Sequence, residues 1–308
     1  MTDGPKLLVV GITALDLIID VEDFPKPNTS IHLDSMLHLY GGAGANVAMV
    51  ASKLGLNSTL ISAVGENFKN SDYYAALNDS NINLDYMIYV EGESDATAIM
   101  VNDNNSDQLT FFYEGASKYL KYHEVPVEAL SQVDLVHLAT GDPDYNWKVS
   151  CKAKELGIPV SFDPGQDLNT YSKDRLKQII TNSKILFGNN YEIDIILEKL
   201  NLDIDGLLSI GPEIIIKTCR EHGSFIYTLE GEDSVDAIYK PAVDPTGAGD
   251  SYRASFLYYY LNGYDLKEAL KLASSVSSFI VEKRGTQTNI PTLEEATSRM
   301  NDFFNIDD

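Results

Sequence analysis

Five short apolar runs, each the length of one buried strand, recur along this chain and limit the folds it can adopt. They lie at residues 6–11, 135–138, 159–163, 184–187 and 213–217. Helical periods at 147–157 and 174–180 separate neighbouring runs. Because parallel strands need long crossover connections, which are usually helices, this alternation predicts an α/β fold with a doubly wound, mainly parallel sheet flanked by helices. Ligands of such sheets bind outside the carboxyl ends of the strands.

Four further segments are typical of half-exposed strands that have no companion helices. They lie at residues 17–21, 30–39, 97–101 and 108–113, and residues 103–107 form a predicted hairpin loop between the last two. Apolar strands of this kind must cover something, unless they only extend the main sheet as antiparallel strands. A chain of 308 residues has room for a single α/β domain, residues 1–308, with an accessory sheet of this size.

The run Asp-Pro-Thr-Gly-Ala-Gly-Asp at residues 244–250, followed by a helical stretch, is the strongest chemical signal. Gly247, Ala248 and Gly249 allow backbone N–H groups to turn towards an anion at the start of a helix. Asp250 stands beside that anion hole, where phosphoryl transfer to an alcohol needs a base. Arg253, three residues later on the same helix face, is suited to reach phosphate or to form an intrahelical pair. The plain alternative is a tight turn with an N-cap.

A second glycine-rich run, residues 41–48, leads into another helix of small and apolar residues. Gly41 and Gly42 permit a ligand to approach the backbone closely, and Asn46 offers both a donor and an acceptor to hydroxyl groups. The alternative is a glycine-lined contact between helix and sheet.

Several other classes of protein are excluded by composition and motif. No P-loop sequence exists, and Val47 occupies the third glycine position of a dinucleotide fingerprint. Two cysteines without metal-binding spacing predict ordinary reduced thiols. A net charge of −23 argues against nucleic acid or an anionic membrane as a partner. No apolar run reaches transmembrane length and no signal-peptide pattern precedes the first strand, so we expect a cytoplasmic protein.

The two glycine-rich runs, in this order and at this spacing, resemble the motifs of the ribokinase-like (PfkB-type) carbohydrate and nucleoside kinases. The resemblance spans residues 10 to 291. It implies that ATP and Mg²⁺ are used, that Asp250 is the catalytic base and that the amides of residues 247–249 form the anion hole. It also implies that the half-exposed strands, drawn from about residues 12–40 and 95–115, form a small β-sheet lid through which two subunits dimerise. Dependence on a monovalent cation stays open.

The resemblance also assigns individual positions to the two ligands. Asp16 matches the acidic residue that binds sugar hydroxyls, together with Gly41, Gly42 and Asn46; its alternative is a solvated turn aspartate. The nucleotide side comprises Asn189, Glu192, Thr218, Gly223 and Gly285, with Glu192 organising Mg²⁺ through water. Asn189 and Glu192 as an N-x-x-E pair are equally typical of a helix start. Arg220 replaces the first glycine of the family's nucleotide loop, which puts the local backbone conformation in question.

Local phrases at residues 141–146, 161–168 and 250–256 are most similar to archaeal broad-specificity nucleoside kinases. That similarity implies an acceptor such as inosine, guanosine or adenosine, with cytidine as a further candidate, phosphorylated on the ribose 5′-hydroxyl in purine salvage. The aromatic run 111–113, and Tyr113 in particular, offers a stacking surface for the base. Two alternatives stay open: a sugar kinase of the same family (ribokinase, fructokinase or phosphofructokinase), and a non-catalytic nucleoside sensor.

Overall fold

The computed structural model describes residues 4–105 and 107–304. Residues 1–3, residue 106 of the expected hairpin loop, and residues 305–308 lie outside it, and with them the two ends of the expected domain. The strands are β1 (Lys6–Val10), β2 (Ala14–Asp20), β3 (Ser35–Gly41), β4 (Asn57–Ile61), β5 (Ala63–Gly65), β6 (Ile88–Val90), β7 (Ala96–Asn102), β8 (Gln108–Tyr113), β9 (Leu135–Leu138), β10 (Val160–Phe162), β11 (Ile185–Asn189), β12 (Ile214–Thr218), β13 (Ser224–Thr228) and β14 (Gly231–Val235).

The helices connect these strands or cover the main sheet. They are α1 (Ala43–Leu54), α2 (Asp72–Asp79), α3 (Val127–Leu130), α4 (Pro143–Leu156), α5 (Lys173–Asn182), α6 (Asn190–Leu200), α7 (Ile204–Ile210), α8 (Ala248–Leu261), α9 (Leu266–Ile280) and α10 (Leu293–Phe304). None of the helices in the described ranges is both long and apolar enough to cross a membrane.

The main sheet has eight strands in the order β14-β13-β12-β11-β10-β9-β1-β4. The six from β4 to β12 run parallel, and β13 and β14 add an antiparallel edge. Successive β1 residues enter opposite cores: Leu7 and Val9 pack with α1, α8 and α9, whereas Leu8 and Val10 pack with α4, α5 and α6. Because both faces are covered by helices, the expected doubly wound, mainly parallel architecture is confirmed.

A separate four-stranded sheet, β3-β2-β7-β8, forms the lid. The half-exposed segments therefore build their own sheet and do not extend the main one. The expected strand at 30–39 is wrong in its first half, since only Ser35–Gly41 is a strand. Its partner β2 ends at Asp20, opposite Ser35, so residues 30–34 have no strand to pair with.

The lid is tied to the loop that follows α9. The Arg284 guanidinium forms an ion pair with Asp20 at the end of β2. The Thr286 hydroxyl donates to the Tyr40 carbonyl of β3 at 3.0 Å. The lid thus lies over the carboxyl ends of the main strands, where ligands of this architecture bind.

Candidate active site

The start of α8 presents free backbone amides. Gly247 precedes the helix with φ +80°, and no side chain caps it. The N–H groups of Gly247, Gly249 and Asp250 make no hydrogen bond within the described residues, while that of Ala248 donates to the Pro245 carbonyl at 3.3 Å. A Cβ at residue 247 would lie 2.7 Å from the Thr286 Cβ, so no side chain fits there. These free amides, at the positive end of the helix dipole, are suited to bind an anion.

The Asp250 carboxylate projects from the first turn of α8 and is 15% exposed. Its Oδ2 accepts a 2.8 Å hydrogen bond from Asn46 Nδ2, and its Oδ1 accepts one of 3.0 Å from Arg253 Nη1. Burial raises the pKa of Asp250 and the Asp163 charge adds to this, whereas Arg253 and Asn46 oppose it. A carboxylate that is fixed in orientation and has a raised pKa is suited to accept a proton.

Asn46 supports Asp250 and is itself held from its other end. Its Oδ1 accepts hydrogen bonds from Thr286 Oγ1 at 2.8 Å and Gln287 Nε2 at 2.9 Å. Gln287 Nε2 also donates to the Tyr73 hydroxyl. The sequence reasoning assigned Asn46 to the acceptor and did not identify Thr286 or Gln287, whose only signal is that they follow Gly285. One Nδ2 hydrogen of Asn46 is left for a ligand.

Asp16 lies on β2 with its carboxylate turned into the cleft. It is only 6% exposed, so the alternative of a solvated turn aspartate is wrong. A Cβ at Gly41 would lie 2.1 Å from Asp16 Oδ2, and one at Gly42, which has φ +92°, would lie 2.5 Å from the Ile12 carbonyl oxygen. The paired glycines therefore make room for Asp16 and for the β1–β2 connection.

No hydrogen bond reaches the Asp16 carboxylate from any described residue. Burial, followed by the charges of Asp250 and Asp244, raises its pKa to about 7. A buried polar group without partners is costly, and it is uncommon in a folded protein unless a ligand completes it. The Asp16 carboxylate oxygens are therefore free to accept hydrogen bonds from a ligand in the cleft.

The register of the lid corrects the assignment of Tyr113. Paired residues across a sheet share a face, and Phe112 is in register with Ala98, which is in register with Asp16. Phe112 also lines a cavity of about 570 Å³ at the carboxyl ends of β1 and β9, together with Ile12. Tyr113 is on the opposite face and is 49% exposed. The aromatic residue that faces the cleft is therefore Phe112.

The expected N-x-x-E position is a complete capping box at the start of α6. Asn189 Oδ1 accepts from the Glu192 N–H at 2.9 Å, and Glu192 Oε2 accepts from the Asn189 N–H at 2.7 Å. Burial, followed by the nearby Asp163 charge, raises the pKa of Glu192. Oε1 makes no hydrogen bond in the described residues, and no group of three or more metal-ligating side chains occurs among them. Glu192 Oε1 is therefore free to accept a hydrogen bond from a water molecule, including one bound to a Mg²⁺ ion.

The expected nucleotide loop, from Thr218 to Gly223, follows the carboxyl end of β12. Gly223 has φ +79°, and a Cβ there would lie 2.0 Å from the Val235 carbonyl oxygen. Arg220 adopts the left-handed conformation, with φ +52°, although it has a side chain. Its guanidinium carbon lies 5.8 Å from the centre of the Tyr191 ring. The backbone thus keeps the shape that a glycine would give, at the cost of local strain.

Gly285 lies beneath the lid. It has φ +90°, and a Cβ there would lie 2.7 Å from Leu39 Cδ1. Its N–H donates to Asp244 Oδ2 at 3.0 Å. It thereby links the loop after α9 to the first residue of the 244–250 run.

Asp163, at the carboxyl end of β10, is a site residue that the sequence reasoning missed. It is 2% exposed and forms an ion pair with Arg253 Nε. Arg253 therefore makes the intrahelical pair expected as one of its two options and adds a partner 90 residues away. No sequence signal joins these two residues.

Comparisons with known proteins agree with this geometry. The sequence pattern of the pfkB family of carbohydrate kinases matches residues 5–293. A nucleoside kinase of Methanothermobacter thermautotrophicus is 49% identical, over 97% of this chain and 96% of that protein. The crystal structure of the nucleoside kinase of Methanocaldococcus jannaschii, an archaeal member of the ribokinase family, superposes with a TM-score of 0.93 at 43% identity, covering 97% of this chain and 99% of that one. A Burkholderia thailandensis nucleoside kinase in complex with inosine shares the fold, with a TM-score of 0.86 at 24% identity over 97% of this chain and 99% of that one.

Proposed function

Because this chain belongs to the pfkB family of carbohydrate kinases, we propose that it is an ATP-dependent nucleoside kinase that phosphorylates the 5′-hydroxyl of a ribose. The relatives named nucleoside kinases, at 49% and 43% identity over nearly the whole chain, support a nucleoside as the acceptor. Inosine, guanosine and adenosine are the first candidates, and cytidine follows them.

The observation that carries the proposal is the pair of carboxylates, Asp16 and Asp250, on either side of the cleft. Asp250 is held by Asn46 and Arg253 beside the free amides of α8, whereas Asp16 accepts no hydrogen bond from any residue that the structure describes. A ribose offers hydroxyl donors to Asp16 at one end and a reactive hydroxyl to Asp250 at the other. Asp16 thereby binds the acceptor, and Asp250 accepts its proton.

In the reaction, Asp250 accepts the proton of the 5′-hydroxyl while that oxygen forms a bond to the γ-phosphorus of ATP. The bond from the γ-phosphorus to the oxygen that bridges it to the β-phosphate breaks, and ADP leaves. The amides of Gly247, Gly249 and Asp250 stabilise the negative charge on the moving phosphoryl group. Mg²⁺, when bound with ATP, neutralises phosphate charge, and Glu192 would orient it through water. We place Thr218, Gly223 and Gly285 around the bound nucleotide.

The lid and the adjoining cavity favour a nucleoside over a free sugar. Phe112 lies on the same face of the lid as Asp16 and offers an aromatic surface to a base. It also lines the cavity of about 570 Å³, which has the volume for a base. A sugar kinase would have no use for this space. A sensor would have no use for a base next to an anion hole, so we place both alternatives behind the nucleoside kinase.

A coupled assay of ADP release, over nucleosides, free sugars and sugar phosphates, tests the acceptor. We expect kcat/KM for a purine nucleoside to exceed that for ribose, because binding energy from the base orients the 5′-oxygen. Phe112→Ala should reduce the ratio of nucleoside to ribose kcat/KM, while Tyr113→Ala, one residue along on the opposite face, should leave the ratio unchanged. Preference for ribose, fructose or fructose 6-phosphate would favour the sugar kinase, and no turnover of any acceptor would favour the sensor. Adding K⁺ to the assay tests dependence on a monovalent cation.

The outer face of the lid supports the further proposal that two subunits dimerise through it. Met36, Leu109, Phe111 and Tyr113 all lie on this face with side chains 46–58% exposed. A contiguous exposed apolar patch of this kind is typical of an interaction surface, and a second copy of the same sheet complements it. Analytical ultracentrifugation should find a dimer that Phe111→Asp converts to a monomer; a wild-type monomer would contradict the proposal.

A further inference from the structure

A buried guanidinium lies directly under the anion site. Arg253 is 15% exposed, with Nη1 on Asp250 Oδ1 and Nε on Asp163 Oδ2. A Cβ at Gly249 would lie 2.8 Å from Arg253 Nη1, so this glycine makes room for the guanidinium. The cation is therefore packed between the amides that face the phosphoryl group and the carboxylate that takes the proton.

Asp163 fixes the direction of that guanidinium. Its Oδ1 accepts a 2.7 Å hydrogen bond from the Gly165 N–H, so the carboxylate is held at the end of β10 by its own loop. Its other oxygen binds Arg253 Nε, which leaves the Nη1 edge pointed at Asp250. Two different N–H groups of one planar fork are thus engaged by two carboxylates, and the orientation of the fork is determined.

We infer that Asp163 and Arg253 act as a positioning pair for the proposed general base, with Asp163 orienting Arg253 and Arg253 keeping Asp250 ionised and turned towards the acceptor. The inference rests on the proposed function. Neither residue needs to touch the substrate: Arg253 acts through Asp250, and Asp163 acts through Arg253.

The charges around Asp250 make its ionisation depend on Arg253. Three carboxylates surround Asp250: Asp16 on the lid, Asp163 at the end of a main-sheet strand, and Glu192 in α6. From α1 and α2 come the neutral Asn46 amide and the Tyr73 phenol. Arg253 is the one cation among these surrounding groups of the described chain. Removing it leaves Asp250 with carboxylates and neutral groups alone, which raises the pKa of Asp250.

The test is the pH dependence of kcat/KM for four variants, with whichever acceptor the ADP-release assay identifies. In Arg253→Met, we expect the acid limb to move to higher pH by about one unit or more, the usual effect of losing an opposite charge in contact. In Asp163→Asn, the limb should move to lower pH, because Arg253 keeps its charge and the negative charge of Asp163 is gone. Arg253→Lys should keep the limb near wild type but lower kcat, since an ammonium cannot hold both carboxylates in the same geometry.

Arg299→Met is the matched control, since Arg299 is also a partly buried arginine, bound to Ser278 and Glu282 and not to Asp250 or Asp163. Arg299→Met should leave the acid limb of the pH profile unchanged. Opposite shifts in Arg253→Met and Asp163→Asn, together with a lower kcat in Asp163→Asn, support the positioning pair. Loss of the Asp163 charge alone would move the limb without lowering kcat, whereas loss of its contact with Nε misaligns Arg253. An unchanged limb in both variants overturns the inference.

A second measurement separates this inference from the proposed function. The carboxyl carbon of Asp250, followed by NMR in protein labelled at aspartate, titrates whether or not any acceptor is turned over. The same opposite shifts in its pKa support the pair even if the acceptor assay fails. An Asp250 pKa in Asp163→Asn equal to that of wild type overturns the inference even if the kinase is active and Arg253→Met does not fold.

Discussion

Replacing Asp16 by Asn should stabilise the protein at alkaline pH while impairing its use of an acceptor. Asp16 is a buried carboxylate with no hydrogen bond from the described residues, and its nearest influences are burial and the charges of Asp250 and Asp244. Folding therefore destabilises its ionised form. Asparagine has nearly the same shape without the charge, and its NH₂ group can donate to a neighbouring carboxylate.

The magnitude follows from the pKa, which folding raises from 3.8 to about 7. Each pH unit of difference between folded and unfolded chains is worth about 1.4 kcal/mol, so the ionised Asp16 carboxylate costs about 4 kcal/mol. Below pH 4 Asp16 is protonated in both states and the cost is absent. Between pH 4 and 7 the folded chain holds the proton longer, so the cost grows with pH, and above pH 7 it is complete. A change of this size is a large fraction of the 5–15 kcal/mol that is typical of native proteins.

Urea unfolding at pH 4.5 and pH 8.5, followed by the fluorescence of the single tryptophan, Trp147, measures this difference. The midpoint for Asp16→Asn should exceed that of wild type at pH 8.5, and the gain should fall to about a quarter of that value at pH 4.5. Asp20→Asn is the control of opposite sign. The Arg284 ion pair lowers the pKa of Asp20, so its contribution is present above pH 4 and is lost as the pH falls. Asp20→Asn should therefore be less stable than wild type at both pH values, with no gain at pH 8.5.

Equal stability of Asp16→Asn and wild type at both pH values would refute the reasoning. It would mean that water or a local rearrangement solvates the Asp16 carboxylate, and the argument for a ligand that completes it would fail with it. A gain at both pH values alike would point to packing at position 16 and not to charge.

Four shorter predictions test other parts of the site. Asp250→Asn should lower kcat by about 10²- to 10⁴-fold in the ADP-release assay with ATP affinity retained, and a variant that keeps most of its kcat would remove Asp250 from the chemistry. At pH 7, where its pKa of about 7 leaves Asp16 about half protonated, acceptor binding should release up to about half a proton, measured by calorimetry in two buffers and absent in Asp16→Asn. Asn46→Ala should reduce kcat for the acceptor because Asp250 loses its 2.8 Å hydrogen bond, while ATP affinity in calorimetry stays the same. Arg220→Gly should raise the urea midpoint by relieving a left-handed residue worth about 1 kcal/mol, and a lower midpoint would show that its contact with Tyr191 outweighs the strain.

The sequence determined the parts of this protein that depend on local pattern. Continuous apolar runs with helical stretches between them were enough to predict β1 and β9 to β12, because a strand buried on both faces is apolar at nearly every position. The glycines of the 244–250 run predicted backbone amides left free at the start of α8, since the backbone conformation they allow is a property of the residues themselves. The edge strands β13 and β14 were not predicted, because they are short, partly polar and half exposed, and such segments resemble loops.

Only the tertiary structure decided which side chains meet. Asn46 and Asp250 are separated by 204 residues, and Asp163 and Arg253 by 90, so no local pattern connects them. The choice between Phe112 and Tyr113 depended on register, because a shift of one residue along a strand turns every side chain to the other face. Consecutive aromatic residues in a strand point to opposite faces of the sheet, so the sequence does not show which one faces Asp16. Only the pairing of β8 with β7, and of β7 with β2, placed Phe112 on the same face as Asp16.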